Sequence, residues 1–213
     1  MRQSLPLLLV AALAAATPAN AQYVFLDTNG DGACDAADNL PPGDSSVDVW
    51  LDTNHNADGS TATCATGEAL SISGYDVVLA AGVAGSAVLT FGSWSNAVVA
   101  FSQQIGVASE GPYFRAAFSA PSGFLPAGKY KLGTLGYTGS GTGCAVLTPT
   151  PIGTISGTPY YTSFSSECLG SNQDNVLRFG VDFTDFCAAG GICDAAADPT
   201  RTTWGKIKER YMH

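Results

Sequence analysis

The chain has few basic residues and no long apolar run. Lys and Arg number 9 against 18 Asp and Glu, which gives a formal net charge of −9 and a pI near 4.3. This balance argues against nucleic acid or anionic lipid as partners, because both repel a negatively charged surface. No stretch approaches roughly 18 uninterrupted apolar residues, so no membrane-embedded segment is predicted.

Residues that commonly carry catalysis are also scarce. His55 and His213 are the only histidines, which leaves little for Ser-His or Cys-His chemistry. No G-x-S-x-G elbow, H-E-x-x-H helix or phosphate-binding glycine loop is present. Glu68, Glu110 and Glu167 offer carboxylates of the kind that glycosidases pair, but their spacing predicts no such pair. We therefore expect that the protein is not an enzyme.

The N-terminal residues have the pattern of a secretory signal peptide. Arg2 precedes an apolar run over residues 5–16, and the small-x-small cleavage site Ala-Asn-Ala follows at residues 19–21. This pattern predicts export and a mature chain that begins at Gln22. The protein is expected outside the cell, either free or associated with the cell surface.

The mature part contains all the cysteines, namely Cys34, Cys64, Cys144, Cys168, Cys187 and Cys193. An even number of cysteines in an oxidising compartment predicts disulfides, and no C-x-x-C pair indicates zinc. The sequence does not fix their connectivity. Our prediction is the sequence-nearest scheme, Cys34–Cys64, Cys144–Cys168 and Cys187–Cys193.

The acidic residues are concentrated near the start of the mature chain. Eight aspartates lie between Asp27 and Asp58, whereas residues 59–173 hold only four acids. The segment from Asp27 to Asp38 has oxygen-bearing side chains at the spacing of a twelve-residue calcium loop, and Gly32 stands at the sharp bend. The expected Ca²⁺ ligands are Asp27, Asn29, Asp31, the carbonyl of Ala33, Asp35 and Asp38. The alternative is a solvated turn, in which the same residue types are common.

A second acidic loop follows the first and offers side-chain oxygens at Asp52, Asn54, Asn56 and Asp58. It lacks the glycine and the terminal acid of the first loop. Two interpretations stay open, a second or shared cation site and a hairpin-like turn. We expect His55 to be a surface residue, because a nitrogen donor is a poor match for a hard cation.

The rest of the chain is predicted to be strands separated by turns. The predicted strands cover residues 46–52, 75–80, 87–91, 97–101, 113–119, 129–137, 144–148, 160–164 and 176–183. Alternation places Val47, Val49 and Leu51 inward in the first of these, and Leu177, Phe179, Val181 and Phe183 inward in the last. Many short strands without intervening helices predict an all-β sandwich of jelly-roll type.

These features divide the chain into four parts. Residues 1–21 are the signal peptide, 22–45 the calcium loop segment, 46–184 the sandwich, and 185–213 a linker with a short C-terminal helix. Trp204, Ile207 and Tyr211 share one face of that helix at helical spacing,. Two roles stay open for it, docking on the domain and acting as a sorting or partner-binding tail.

Exposed aromatic rings would allow carbohydrate binding, because the apolar C–H faces of sugars stack on them. The best candidate is Trp94, which lies in a Gly-Ser-Trp-Ser-Asn stretch, followed by the outward-facing Trp50 and by Tyr160 and Tyr161. The alternative for each ring is ordinary packing in the core or at its rim.

Several segments resemble a cohesin-type domain. The strand pattern of residues 47–51, 74–79 and 87–91 is similar to the opening of that fold, and residues 113–119 and 125–135 are similar to its later strands and proline-glycine turn. The resemblance spans roughly residues 47 to 183. It implies a jelly-roll sandwich that binds a protein partner, although several carbohydrate-binding modules share this fold.

The first acidic loop resembles two families. In a dockerin loop, Asp27, Asn29, Asp31 and Asp38 would be ligands, and a thrombospondin type 3 repeat would add Asp35. Pro41 and Pro42 block the helix that a dockerin needs, which favours a structural calcium loop. The sequence thus predicts a secreted, calcium-binding adhesion or scaffolding module, with binding of an extracellular polysaccharide as the alternative.

Overall fold

The computed structural model describes residues 23–35, 37–64, 67–168, 176–182, 185–187 and 189–193. The predicted signal peptide and C-terminal helix lie outside these residues. The described part contains fourteen strands and no helix. The strands are β1 (Tyr23–Asp27), β2 (Gly43–Asp52), β3 (Ile72–Gly85), β4 (Val88–Asn96), β5 (Gln103–Glu110), β6 (Tyr113–Ser119), β7 (Lys129–Ser140), β8 (Gly143–Pro149), β9 (Ile152–Ile155), β10 (Thr158–Tyr161), β11 (Ser163–Ser166), β12 (Val176–Arg178), β13 (Asp185–Cys187) and β14 (Ala189–Cys193). The predicted all-β class is confirmed.

Most strands belong to two sheets. The first sheet has the order β13-β1-β2-β7-β4, in which β1 and β13 are parallel and the other neighbours antiparallel. The second sheet contains β12-β11-β3-β6-β5, and β8 pairs with both β3 and β14. Strands β9 and β10 form a separate hairpin. The first sheet therefore ends at β4, and the second at β5.

One hydrophobic core lies between the two sheets. On β2, Val47, Val49 and Leu51 are buried, as their alternation predicted. Aromatic rings join the sheets, since Phe91 of β4 lies 5.7 Å from Phe114 of β6 between ring centroids. Burial of alternate apolar residues from both sheets holds the sandwich together.

A second, smaller cluster contains the disulfide between Cys64 and Cys168, whose Cα atoms are 5.5 Å apart. The predicted pairings Cys34–Cys64 and Cys144–Cys168 are therefore wrong. Cys34 and Cys144 are also disulfide-bonded. The sequence-nearest scheme failed because the tertiary fold brings together cysteines that are 104 residues apart in the chain.

Two strand predictions need correction. Residues 97–101 are not a strand, because Val98 and Phe101 turn into the core while the Asn96 side chain donates to their carbonyl oxygens, at 3.2 and 2.9 Å. In the predicted last strand, only Val176–Arg178 is extended. Phe179 is buried there, but Val181 is 69% exposed instead of facing inward. Phe183 lies outside the described residues.

Candidate binding faces

The acidic loop, residues 27–38, is held by its own carboxylates. Asp27 is buried and accepts hydrogen bonds from the backbone N–H of Gly30 at 2.6 Å and of Gly32 at 2.8 Å. Both glycines have positive φ, 80° and 73°, which lets the chain turn back over the carboxylate,. The sequence therefore folds this segment around the Asp27 side chain.

The same pattern repeats along the loop. The side chains of Asn29, Asp31 and Asp35 each accept from the backbone N–H two residues farther on, at 2.8, 2.8 and 2.6 Å. Asp38 is buried and closes the loop, since it accepts from the N–H of Thr28 at 2.7 Å and of Asp35 at 2.9 Å. The side chains predicted as Ca²⁺ ligands in this first loop thus lie in one compact segment that is closed by its own hydrogen bonds.

The donor set of this loop suits a hard cation, because it consists of carboxylate, amide and carbonyl oxygens. In the described residues, however, no three His, Cys, Asp or Glu side chains are grouped so that they could hold a metal ion. Backbone amides occupy the carboxylate oxygens instead. The chemistry of the loop fits Ca²⁺, and calcium binding stays a prediction.

The second acidic loop is closed mainly by internal hydrogen bonds. Asp52 accepts from the backbone N–H of Asn54 and of His55, at 2.7 and 3.0 Å. Asp58 accepts from Ser60, and this side-chain hydrogen bond lowers the pKa of the Asp58 carboxyl. His55 is exposed. The Asn56 side chain is 8% exposed, and its Oδ1 has no hydrogen-bond partner within the described part.

The outer face of the first sheet is polar. Asp48 forms an ion pair with Lys131 at 2.6 Å and accepts from the Thr134 hydroxyl at 2.7 Å. Farther along the same two strands, Asp44 accepts from the Thr138 hydroxyl at 2.6 Å. A cleft of about 330 Å³ lies between this face and residues 27–30 of the acidic loop. Charged and hydroxyl groups therefore dominate this side of the molecule.

Trp50 lies on this face but is covered by the protein itself. Its ring stacks on Phe25 with centroids 6.0 Å apart, and the Lys129 ammonium lies 5.5 Å from its centroid. A Cβ at Gly32 would lie 3.6 Å from the same ring, which places the acidic loop against it. Trp50 is therefore half-buried and does not form the open platform that sugar stacking requires,.

Trp94 is also packed into the protein. Its ring contacts Phe114 at 5.7 Å and Tyr75 at 6.5 Å between centroids. A Cβ at Gly133 would lie 2.2 Å from the Trp94 ring, so glycine is required there to make room. The Gly-Ser-Trp-Ser-Asn stretch is an irregular part of β4 rather than a loop.

On the outer face of the second sheet, an ion pair lies beneath the β9–β10 hairpin. Arg115 donates to both oxygens of Asp76, with the shortest distance 2.6 Å, and its guanidinium lies 4.0 Å from the Tyr160 ring centroid. Burial raises the pKa of the Asp76 carboxyl, and Arg115 opposes that shift. Tyr160 thus fastens the hairpin to the sheet rather than offering a free ring.

The outward surface of the hairpin is apolar and exposed. Tyr161 pairs directly with Ile152, and Pro159 lies on the same side of β10 as Tyr161,. Tyr161 is 48% exposed and Ile152 is 42% exposed. Pro151 precedes Ile152 and lies against Gly180, and Gly180 is followed by the exposed Val181. We call these apolar residues the hairpin patch, namely Pro151, Ile152, Pro159, Tyr161 and Val181. Sequence reasoning found only Tyr161 of this group.

The three glutamates considered for glycosidase chemistry are exposed and occupied elsewhere. Glu167 accepts from the Ser71 hydroxyl, and Glu110 accepts from the backbone N–H of Ser156. Glu68 contributes its backbone carbonyl to the turn that holds Cys64. Within the described residues we find no arrangement that pairs two of these carboxylates.

No protein-family model matches the chain, and no curated protein matches it. Among solved structures, it is similar to the seventh ScaB type I cohesin of Pseudobacteroides cellulosolvens, with 15% identity, a TM-score of 0.46, and coverage of 84% of this chain and 95% of that one. It is also similar to the second type II cohesin of the ScaA scaffoldin of Acetivibrio cellulolyticus, with 14% identity and a TM-score of 0.43. That match covers 87% of this chain and 98% of the other.

A third similar structure is the sixth cohesin of the Acetivibrio cellulolyticus scaffoldin B, in complex with the Cel5 dockerin. It has 14% identity and a TM-score of 0.40, and the match covers 68% of this chain and 86% of that one. Because all three TM-scores are below 0.5, these likenesses carry no argument about the partner of this chain. Among the described residues, no helix has the length and apolar character to cross a membrane.

Proposed function

We propose that the chain is a secreted, non-catalytic sandwich module of jelly-roll type that binds another extracellular protein through the hairpin patch. The exposed apolar surface around Ile152 and Tyr161 carries this proposal. Grouped apolar side chains that remain in water are typical of interaction sites, because covering them releases the water that they order. The Cys64–Cys168 disulfide supports an oxidising compartment,.

The hairpin presents this surface in a fixed geometry. Gly153 lies so close to the sheet that a Cβ there would meet Val78 at 2.7 Å and Tyr113 at 2.8 Å. At the hairpin turn, Ser156 donates its backbone N–H to Glu110 of β5. A surface that is already ordered loses little conformational entropy on binding. The patch therefore suits direct recognition by a folded partner.

The resemblance of the sequence to cohesin-type domains implies the same class of function. The polysaccharide alternative is less well supported, because Trp50, Trp94 and Tyr160 all contact other groups of the protein through their rings. Of the four rings considered, Tyr161 is the one that remains broadly exposed. A single tyrosine among apolar neighbours is a better protein contact than a sugar platform.

We also propose that the acidic loop binds Ca²⁺ and thereby stabilises the entrance to the sandwich. Asp27 and Asp38 are each 1% exposed, and both accept hydrogen bonds from neutral amides and hydroxyls. In the part of the chain that the structure describes, neither forms an ion pair with Lys or Arg. Two buried carboxylates without a positive partner are costly, and a bound cation would remove that cost.

The second loop is a weaker candidate for a shared cation. Its support is the buried Oδ1 of Asn56, which has no hydrogen-bond partner within the described residues and lies in the same loop as the buried Asp52. An amide oxygen in this state lacks the partner that a buried polar atom normally has. The proposed ligands there are Asp52, Asn54, Asn56 and Asp58.

A retention experiment tests the protein-binding proposal. The immobilised mature chain is exposed to secreted proteins, to a purified dockerin and to insoluble polysaccharides, with calcium and with chelator. We expect a protein to be retained by the wild type and lost when Ile152→Ser and Tyr161→Ser are combined. Val99→Ser is the matched control, because Val99 is 91% exposed outside the patch. Retention on polysaccharide alone, or equal loss in the control, would contradict the proposal.

A further inference from the structure

The open edge of β5 differs from the other strand edges of the sandwich. β5 ends the second sheet, and within the described residues no strand pairs with its outer side. It has eight residues, with one charged side chain, no proline and no lysine. Proteins usually protect such an edge with charges, prolines, bulges or short length. Apart from that one charge and one register irregularity near its start, β5 has none of these features, and such an edge is a template for another strand,.

The other strand edges carry such protection, and in β14 the register with β8 shifts between Ala189 and Ile192. β4 is interrupted near its middle, between Phe91 and Trp94, where its register with β7 shifts. β12 and β13 have three residues each, and β10 contains Pro159. In β5 the single irregularity lies between Gln104 and Gly106, which leaves Gly106–Glu110 in regular register with β6. Among these edges, β5 thus has the longest run in regular register, which favours the addition of a strand there.

We propose that two copies of this chain associate by antiparallel pairing of their β5 strands. A two-fold axis at Val107 places Val107 opposite its own copy. Because the irregularity of β5 adds one residue at Ile105, the same axis places Glu110 of each copy opposite Gln103 of the other. The two carboxylates are then about 20 Å apart along the strands, well beyond the Debye length of about 8 Å at physiological salt. No like charges face each other along the shared edge, so the strand is complementary to itself.

The surroundings of β5 also favour association of copies despite the acidic chain. Residues 59–173 contain four of the eighteen acids. Two of these four lie near β5, and both are engaged, Asp76 with Arg115 and Glu110 with the backbone N–H of Ser156. The acidic loops follow β1 and β2 of the other sheet. Approach along β5 therefore brings together the least charged part of the molecule.

Sedimentation equilibrium of the mature chain tests this proposal. We expect a dimer fraction that rises from micromolar to millimolar protein, since an edge contact is small. Ile105→Lys should weaken association roughly tenfold or more, because a lysine on the edge opposes strand addition. Val88→Lys is the matched control, since Val88 on β4 is 51% exposed and Ile105 is 56% exposed. It should associate like the wild type.

A wild type that stays monomeric up to millimolar concentration would overturn the proposal. The same holds if Ile105→Lys associates like the wild type, or if both lysine variants weaken association equally. Circular dichroism melts establish that the variants fold. Amide hydrogen exchange provides a readout without mutation, because residues of Gln103–Glu110 should become protected as wild-type protein concentration rises. Unchanged exchange of β5 in a dimer would place the contact elsewhere.

Discussion

The outer faces of the two sheets differ in charge and in what covers them. The first sheet exposes hydroxyls and carboxylates, and the acidic loop packs against its Trp50. On the second sheet, the ion pair of Arg115 and Asp76 lies under a hairpin, and that hairpin turns Ile152 and Tyr161 to solvent. Charged groups lose hydration when a partner covers them, whereas apolar groups gain free energy from burial. This difference is the reason for proposing protein binding on the hairpin side and cation binding on the acidic side.

The largest expected effect concerns neither face but the disulfide between Cys64 and Cys168, which joins two distant parts of the chain. Replacing Cys64 and Cys168 together by alanine should lower the free energy of unfolding by roughly 4 kcal/mol, because the unfolded chain gains the freedom of a loop spanning 104 residues,. Urea unfolding of the double variant and the wild type measures this loss. If the variant is as stable as the wild type, the bond does not constrain the unfolded chain as described.

The two ion pairs should differ in their contribution to stability. Arg115→Met leaves Asp76, whose side chain is 22% exposed, without its partner, so we expect the free energy of unfolding to fall by up to about 3 kcal/mol,. Lys131→Met removes the partner of Asp48 on the more open face and should cost less than about 1 kcal/mol. The exposed fractions support this order, since the Arg115 side chain is 12% exposed and that of Lys131 35%. Equal losses in urea unfolding would show that the two faces are electrostatically alike.

Chelation should destabilise the acidic side. If calcium exceeds its dissociation constant about a hundredfold, its removal costs about 2.7 kcal/mol and lowers Tm by about 5 to 10 °C. Asp31→Asn should reduce the calcium-dependent shift, because it weakens a proposed ligand. Asp44→Asn removes the same charge outside the loop and should keep the shift. A wild-type melt that does not respond to chelator would argue against the calcium proposal.

A smaller effect is expected in the pH dependence of stability. Because burial raises the pKa of Asp76 above its ordinary value of 3.8, the folded state holds this proton more tightly than the unfolded chain does. The protonated Asp76 carboxyl therefore stabilises the folded state fully below pH 3.8, and this stabilisation is lost as the pH rises through the pKa of the folded state,. The stability of the wild type relative to Asp76→Asn should therefore fall as pH increases above about 4. A rise would mean that Arg115 outweighs burial.

Much of the fold could be predicted from local pattern, because alternation on β2 reports burial directly. The edge strand β5 was missed, since its residues are mostly exposed and show no apolar alternation. Residues 97–101 were mistaken for a strand for the opposite reason, because Val98 and Phe101 are apolar but enter the core from a turn. Local hydrophobicity therefore identifies buried residues more reliably than it identifies strands.

The candidate sites were less predictable, because they depend on contacts distant in sequence. The position of Trp94 is fixed by the space at Gly133, and that of Tyr160 by Arg115. The exposure of Ile152 depends on how the hairpin folds over Val78. Only the acidic loop was recognisable in full from spacing, since its hydrogen bonds stay within one short segment.

The most direct test of the protein-binding claim is amide hydrogen exchange of the chain, alone and with the partner that it retains. The account predicts that protection increases in Ile152–Ile155 and Thr158–Tyr161, while the acidic loop and β2 exchange at unchanged rates. Protection that appears on β2 and the acidic loop, with the hairpin unaffected, would contradict the assignment of the two faces.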